Sequence, residues 1–148
     1  MKIGWEEFLK DIEQFIKYIP LKPKPECVIG VARGGLYPAL RASYKFGIPI
    51  AIVSVKSYAN GKRGKVVIDA DITNKSCIKG RVLLVDDLLD SGNTIKAVKD
   101  YLNKNFKNLD LFVSALYNKG ISEYFGLVHH YWKPVPNEWI EFPYEEKR

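Results

Sequence analysis

Apolar residues recur at helical spacing near the start of the chain, and continuous apolar runs follow. The helical set is Trp5, Phe8, Leu9, Ile12, Phe15, Ile16 and Ile19. Spacings of three and four residues predict an amphipathic helix, which should end before Pro20. The apolar runs at residues 27–32, 49–55 and 82–85 predict strands that are buried on both faces of a sheet.

Helical and strand-like segments then alternate. Residues 39–46 predict a helix that Gly47 ends, and the apolar positions between Lys96 and Leu102 predict another. Residues 66–73 are interpreted as a β-hairpin excursion, and residues 109–117 as a further strand. This order implies an α/β fold: one domain, residues 1–148, with a mostly parallel twisted sheet and helices on both faces.

The end of the chain breaks this alternation. From Lys119 onward the sequence is irregular and rich in aromatic residues, so we expect residues 119–148 to form a small C-terminal hood. His129 and His130 are adjacent in a strand-like run. Their side chains should point to opposite faces, which disfavours a shared metal and favours structural roles.

Composition narrows the class of protein. A hydrophobic fraction of 47% in 148 residues is enough for one domain core. No run of eighteen apolar residues occurs and the N-terminus lacks a leader pattern, so we expect no membrane contact and a cytoplasmic location. In that reducing compartment, Cys27 and Cys77 are interpreted as small core residues.

The formal net charge of +6 fits an anionic substrate, a nucleic-acid partner or a lysine-rich surface. The densest basic cluster is Lys62, Arg63 and Lys65, in a glycine-containing loop without neighbouring aromatic platforms for bases. A loop that covers a substrate, or a solvated surface, is therefore favoured over nucleic-acid binding.

Residues 82–94 join a buried strand, three carboxylates and the start of a helix. Ligands bind at the carboxyl ends of parallel strands, and the free N–H groups of a helix start attract anions. A phosphate is therefore expected beside Asp90, on Ser91, Gly92, Asn93 and Thr94. Asp86 and Asp87 could accept hydrogen bonds from sugar hydroxyls or help to hold a Mg²⁺ that carries phosphate oxygens. The segment predicts a site for a phosphorylated sugar.

The same segment also has a plain structural interpretation. Asp86 and Asp87 could be solvated loop acids, with Ser91 or Asn93 as an ordinary helix N-cap. The chain lacks a GxxxxGK[ST] phosphate loop, and its glycines at 30, 34 and 35 do not form a GxGxxG fingerprint. These absences disfavour a nucleoside triphosphatase and a dehydrogenase.

An apolar strand followed by Asp-Asp, two apolar residues and Asp-Ser-Gly-Asn-Thr resembles the phosphoribosyl pyrophosphate (PRPP) signature of type I phosphoribosyltransferases. The resemblance extends over residues 28–142 and narrows to the small xanthine-guanine type that acts on 6-oxopurines. It rests also on Gly30-Val31-Ala32-Arg33-Gly34-Gly35, Ser57-Tyr58, Asn118-Lys119 and Trp139-Ile140-Glu141.

This resemblance implies an enzyme of purine salvage that transfers the 5-phosphoribosyl group of PRPP to guanine, hypoxanthine or xanthine. The resemblance implies that Arg33 and Gly34 bind pyrophosphate. In that family this turn often contains a non-proline cis peptide. Mg²⁺ is the implied cofactor, with Asp87 as its candidate ligand. Asp90 is the candidate catalytic residue, holding or accepting the proton on purine N7.

For the base, the resemblance implies that Lys119 donates to O6, Trp139 stacks on the ring and the backbone carbonyl of Ile140 reads the C2 substituent. Ser57 and Tyr58 would begin a flexible loop that closes over PRPP. Without function, Lys119 would be an exposed turn lysine and Trp139 a core aromatic residue. A homo-oligomer, dimer or tetramer, is also expected.

Two alternatives remain open at this point. One is a phosphoribosyltransferase for another base, such as a pyrimidine. The other is a PRPP-sensing regulator that binds RNA or DNA through its basic surface. The regulator is disfavoured because the chain retains Arg33, Asp90 and Lys119 and shows no attached helix-turn-helix segment.

Overall fold

A computed structural model describes residues 1–58 and 65–147. Among these residues one sheet of six strands carries the fold, in the order β3-β2-β1-β4-β5-β6. The strands are β1 Cys27–Ala32, β2 Ile50–Tyr58, β3 Lys65–Ile68, β4 Arg81–Leu89, β5 Asp110–Asn118 and β6 His130–Pro134. The helices are α1 Trp5–Tyr18, α2 Leu36–Phe46 and α3 Asn93–Asn105, with single 3₁₀ turns at Lys75–Cys77 and Pro143–Glu145.

All strand pairs are parallel except β2 with β3. The inner strands are apolar on both faces, and alternate residues serve two separate cores. Leu83 and Val85 of β4 pack with α1 and α2, whereas Val82 and Leu84 pack with α3. The prediction of a mostly parallel sheet with helices on both faces is therefore confirmed.

Strand β4 is longer than the apolar run that predicted it. It continues through both acids to Leu89, because Asp86 and Leu88 remain in register with Ala115 and Tyr117 of β5. Asp86 and Asp87 are therefore strand residues, and they are not the solvated loop acids of the plain structural interpretation. The turn itself consists of residues 90–92, and α3 begins at Asn93.

The predicted hairpin is present, although its second strand ends at Ile68 rather than at residue 73. Ser57 and Tyr58, which were expected in a flexible loop, are the last residues of β2 and pair with Val66 and Lys65. Residues 59–64, the rest of that predicted loop, lie outside the described residues.

The C-terminal segment contributes to the main sheet. His130–Pro134 forms β6, which pairs with β5 at its edge, a strand that the hood prediction had not included. The first residues of the chain pack beside the last part, because Ile3 N–H donates to the Glu141 carbonyl at 3.0 Å. Whether residues 119–148 act as a base-recognition hood stays a prediction.

Cys27 and Cys77 are buried, as predicted for core residues. The structure also joins them in a disulfide across 50 residues of sequence, with a Cα–Cα distance of 5.8 Å. The sequence did not predict this pair, because the contact between β1 and the Lys75–Cys77 turn is a long-range one. Among the described residues, no helix is long and apolar enough to cross a bilayer.

Candidate active site

Two strand-to-helix junctions meet at one edge of the sheet. Strand β1 leads through residues 33–35 into α2, and β4 leads through residues 90–92 into α3. Strands β1 and β4 are neighbours in the sheet. The next strand in the chain after β1 is β2, which lies on the other side of β1 from β4. The crevice at such a switch point is where open α/β sheets bind ligands.

A cleft of about 1570 Å³ opens at this edge. Several of the predicted site residues share its wall, although they come from different elements. They are Arg33, Gly34, Ser57, Asp87, Thr94 and Trp139. The structure thus brings the predicted pyrophosphate turn, one acid and the helix start of the PRPP signature into one cavity.

In the turn after β1, backbone atoms lie very close to neighbouring groups. The Ala32–Arg33 peptide bond is cis and non-proline, one bond before the Arg33–Gly34 bond for which the family resemblance had suggested this geometry. Gly35 N–H donates to the Val31 carbonyl at 2.9 Å, and α2 follows directly. Gly34 is buried against the Asp87 carboxylate and the Tyr144 hydroxyl, where a Cβ atom would overlap both.

Asp86 and Asp87 are consecutive in β4, so their side chains project to opposite faces of the sheet. Asp86 is buried, and its Oδ1 accepts the Asp87 N–H at 2.8 Å. Asp87 faces the cleft and accepts a hydrogen bond from the Tyr144 hydroxyl. The structure therefore separates two acids that the sequence alone does not distinguish.

Burial raises the pKa of Asp86 well above its usual range, and the negative charge of Asp87 raises it further. Burial also raises the pKa of Asp87. Two carboxylates this close and this poorly solvated favour the protonated forms. A cation bound at these carboxylates would favour their ionised forms.

The turn between β4 and α3 leads into a helix start, where the Asn93 N–H donates to Ser91 Oγ at 3.3 Å. Gly92 adopts φ +91°, a left-handed conformation that favours glycine, and a Cβ atom there would lie 2.6 Å from Ser122 Oγ and 3.0 Å from the Tyr124 ring. Tyr124 donates its hydroxyl to Asn93 Oδ1 at 2.8 Å, and Glu123 N–H donates to the Ser91 carbonyl at 2.9 Å. The segment after β5 thereby holds the predicted phosphate cradle.

The ends of β4 and β5 place Lys119 beside Asp90. Their Nζ and Oδ2 atoms lie 3.1 Å apart, and the Lys119 side chain is only 9% exposed. An exposed turn lysine would be well solvated, so this burial argues against a simple surface role. The structure thus joins the predicted base-recognition lysine to the predicted proton acceptor.

The other two residues predicted to contact the base, Trp139 and Ile140, differ in their surroundings. Trp139 is 79% exposed on the cleft wall, so it is not the core residue that it would be without function. Ile140 is buried with its side chain in the core. Neither Ile140 nor Lys119 is among the described residues that line the large cleft.

Sequence reasoning missed two tyrosines of the site. Tyr144 contacts Asp87 and Tyr124 contacts Asn93, across 57 and 31 residues. Both stood out only as members of an aromatic C-terminal stretch. No local spacing could have linked them to the acids, because the contacts depend on how the last segment packs over the sheet.

The comparisons with known proteins agree with this geometry. The phosphoribosyl transferase domain model matches residues 4–143. A xanthine-guanine phosphoribosyltransferase of Chromohalobacter salexigens is 28% identical over 97% of this chain and 82% of that protein. The solved purine phosphoribosyltransferase of Pyrococcus horikoshii is 30% identical, with a TM-score of 0.76 over 100% of this chain and 95% of that one.

The xanthine-guanine-hypoxanthine phosphoribosyltransferase of Helicobacter pylori has a TM-score of 0.79 and 25% identity, and the match covers 97% of this chain and 92% of that one. The matched region includes both strand-to-helix junctions and the Lys119–Asp90 pair. The domain match and the fold agree, and the chain belongs to the phosphoribosyl transferase domain family.

Proposed function

We propose that this enzyme transfers the 5-phosphoribosyl group of PRPP to a 6-oxopurine, releasing pyrophosphate and a nucleoside monophosphate in purine salvage. The observation that carries the proposal is the pairing of Lys119 with Asp90, in the turn between β4 and α3. The relatives named above act on xanthine, guanine, hypoxanthine or purines by their names.

The sugar phosphate would bind across the two junctions. The helix start at residues 91–94 offers N–H groups and hydroxyls to the 5-phosphate. Arg33 and the backbone of Gly34, both on the cleft wall, would hold the pyrophosphate, since a guanidinium and a side-chain-free backbone suit an anion of that size. Asp87 on the cleft wall would accept hydrogen bonds from the ribose hydroxyls, whereas Asp86 is buried outside that wall.

The base would be read from the ends of β4 and β5 and from the last segment. Lys119 has only donors, so it suits the O6 carbonyl of guanine, hypoxanthine or xanthine and disfavours the amino group of adenine. Trp139 would stack on the ring. The Ile140 backbone carbonyl would contact the C2 position.

In the reaction, the bond between C1 of the ribose and pyrophosphate breaks, and a bond from C1 to a purine ring nitrogen forms. Asp90 would accept the proton that leaves the purine, and Lys119 at 3.1 Å would stabilise the carboxylate before it does so. Arg33 would neutralise charge on the departing pyrophosphate, in a state where C1 has oxocarbenium character.

The donor set fits a magnesium ion that arrives with substrate. Magnesium is usually held by one or two carboxylates together with substrate phosphates, and Asp87 on the cleft wall provides such a carboxylate. Among the described residues, no three His, Cys, Asp or Glu side chains gather into a metal site of their own. When bound with PRPP, the ion would supply positive charge to the pyrophosphate oxygens.

The test is an assay of nucleotide formation with PRPP, Mg²⁺ and one base at a time. We expect the monophosphates of one or more of guanine, hypoxanthine and xanthine, little product with adenine or uracil, and none with excess chelator. Lys119→Ala should lower kcat/KM for 6-oxopurines at least about tenfold, since a charged hydrogen bond is worth about 1.5–3 kcal/mol. Lys75→Ala, an exposed lysine paired with Asp71, is the matched control.

Product with uracil alone would favour the pyrimidine alternative, and PRPP binding without turnover of any base would favour the regulator. Equal losses with every base in Lys119→Ala would contradict the O6 contact. Light scattering of the same sample checks the proposed homo-oligomer of two or four copies.

A further inference from the structure

We propose that Tyr144 is a positioning residue for PRPP, which orients Asp87 by donating its hydroxyl to one carboxylate oxygen. This inference rests on the proposed function and adds a residue to its sugar site. The contacts of the C-terminal segment carry it, and no sequence motif connects that segment with the sugar site.

The Tyr144 hydroxyl donates to Oδ2 of Asp87. Both groups lie against Gly34, so the tyrosine, the acid and the predicted pyrophosphate turn converge on one point of the cleft wall. With Oδ2 engaged, the second oxygen of Asp87 is the one that ribose hydroxyls or a magnesium ion would use.

The aromatic ring of Tyr144 is held on several sides. It stacks on Phe142 with the ring centroids 5.3 Å apart and planes at 8°, and on Tyr37 at 5.2 Å and 18°. Phe8 of α1 lies 5.6 Å away in a tilted contact. A ring that is fixed in this way directs its hydroxyl at one place, so the hydrogen bond costs little side-chain entropy.

The backbone that carries Tyr144 is fixed as well. Phe142 is buried, and its N–H donates to the Glu145 carboxylate at 3.1 Å across the Pro143–Glu145 turn. Just before it, Glu141 pairs with the N-terminal residues through Ile3. The last segment is therefore a rigid support for the hydroxyl, and Asp87 is oriented by a group from the other end of the chain.

Two other carboxylates lie near Asp87, because Asp86 precedes it in β4 and Glu145 lines the same cleft. A neutral donor from Tyr144 holds Asp87 in place without adding positive charge that would compete with a cation. The expected role is thus geometric: the hydroxyl sets the direction of Asp87 and takes no part in proton transfer.

Calorimetric titration of Tyr144→Phe with PRPP, with and without Mg²⁺, tests this inference. The substitution keeps the stacked ring and removes only the donor. We expect PRPP binding in the presence of Mg²⁺ to weaken about threefold to tenfold, the range for loss of one neutral hydrogen bond. The KM for the base and the melting temperature should stay close to those of the parent.

Tyr44→Phe is the control, because Tyr44 is 77% exposed on α2 and outside the cleft. In an Asp87→Asn background, Tyr144→Phe should change PRPP affinity much less than in the parent, whereas a purely structural effect would be equal in both. Parent-like PRPP binding by Tyr144→Phe, equal effects in the two backgrounds, or a variant that fails to fold would each overturn the inference. A parent that binds no PRPP would instead refute the proposed function.

Discussion

At the scale of single residues, the two adjacent glycines of the first turn face different constraints. A Cβ on Gly35 would lie 2.5 Å from the Val31 carbonyl oxygen and 2.8 Å from that of Val85, and both are backbone atoms of buried strands. Around Gly34 the obstructing atoms are the ends of two side chains, the Asp87 carboxylate and the Tyr144 hydroxyl, and not backbone atoms. Sequence reasoning recognised the pair as a turn but could not distinguish the two positions.

Gly35→Ala should therefore lower the free energy of unfolding by about 1–3 kcal/mol, the usual cost of overpacking a rigid site. Gly34→Ala should cost less stability but should displace Asp87 and weaken PRPP binding. Urea unfolding and PRPP titration of both variants measure the difference. Gly4→Ala, where a Cβ meets nothing within 4 Å, is the control. Equal losses of stability in the Gly34 and Gly35 variants would contradict this assignment.

At the scale of elements, a histidine joins the edge strand β6 to the sheet. The Val113 N–H of β5 donates to Nδ1 of His129 at 2.9 Å, and the His129 N–H donates to the Val113 carbonyl at 2.8 Å. Nδ1 can accept that hydrogen bond only while it is unprotonated. Burial, together with the charge of Lys99, lowers the pKa of His129, and burial lowers the pKa of His130. The sequence predicted structural roles for both residues, and these contacts agree with that.

A lowered pKa means that the unfolded chain binds protons more readily than the folded one. The stability from His129 should therefore be complete above its unfolded pKa of about 6.5 and should be lost as the pH falls below that value. His129→Asn keeps an acceptor near Nδ1 but does not titrate. We expect its unfolding free energy to fall less than that of the parent between pH 7.5 and pH 5.5. Equal pH dependence of the two proteins in urea unfolding would refute this.

At the scale of the whole molecule, the first helix and the last segment close over the same face of the sheet. Phe8 of α1 is fully buried and contacts the rings of Tyr37, Phe142 and Tyr144. Asp11 of the same helix accepts the Tyr117 hydroxyl of β5 at 2.7 Å. The helical stripe predicted from the sequence is thus core, and the same stripe supports the wall of the cleft.

Phe8→Ala should lower the free energy of unfolding by about 3–5 kcal/mol, as expected for a buried ring that leaves a cavity. It should also loosen the last segment and increase its cleavage by protease in the native state, because Phe142 and Tyr144 lose a partner. Tyr44→Ala, an exposed position on α2, should change stability by no more than about 0.5 kcal/mol. Unfolding in urea and timed proteolysis measure both effects, and unchanged cleavage of the last segment would contradict the link.

Local patterns along the chain predict most of the helices and strands and the chemistry of the two turns. Hydrophobic periodicity predicts the helices and the buried strands. The acids and glycines at 86–94 and 33–35 predict the two turns, because neighbouring residues set the local geometry there. Four features became visible only in the folded protein. Strand β4 continues through its two acids, and β6 pairs at the edge of the sheet. Cys27 and Cys77 form a disulfide, and Tyr144 donates a hydrogen bond to Asp87. These features depend on strand register and on how the layers pack across the sheet. Such packing brings together residues that are far apart in sequence: 50 positions in the disulfide and 106 in the Asp11–Tyr117 contact. Local patterns carry no information about such contacts.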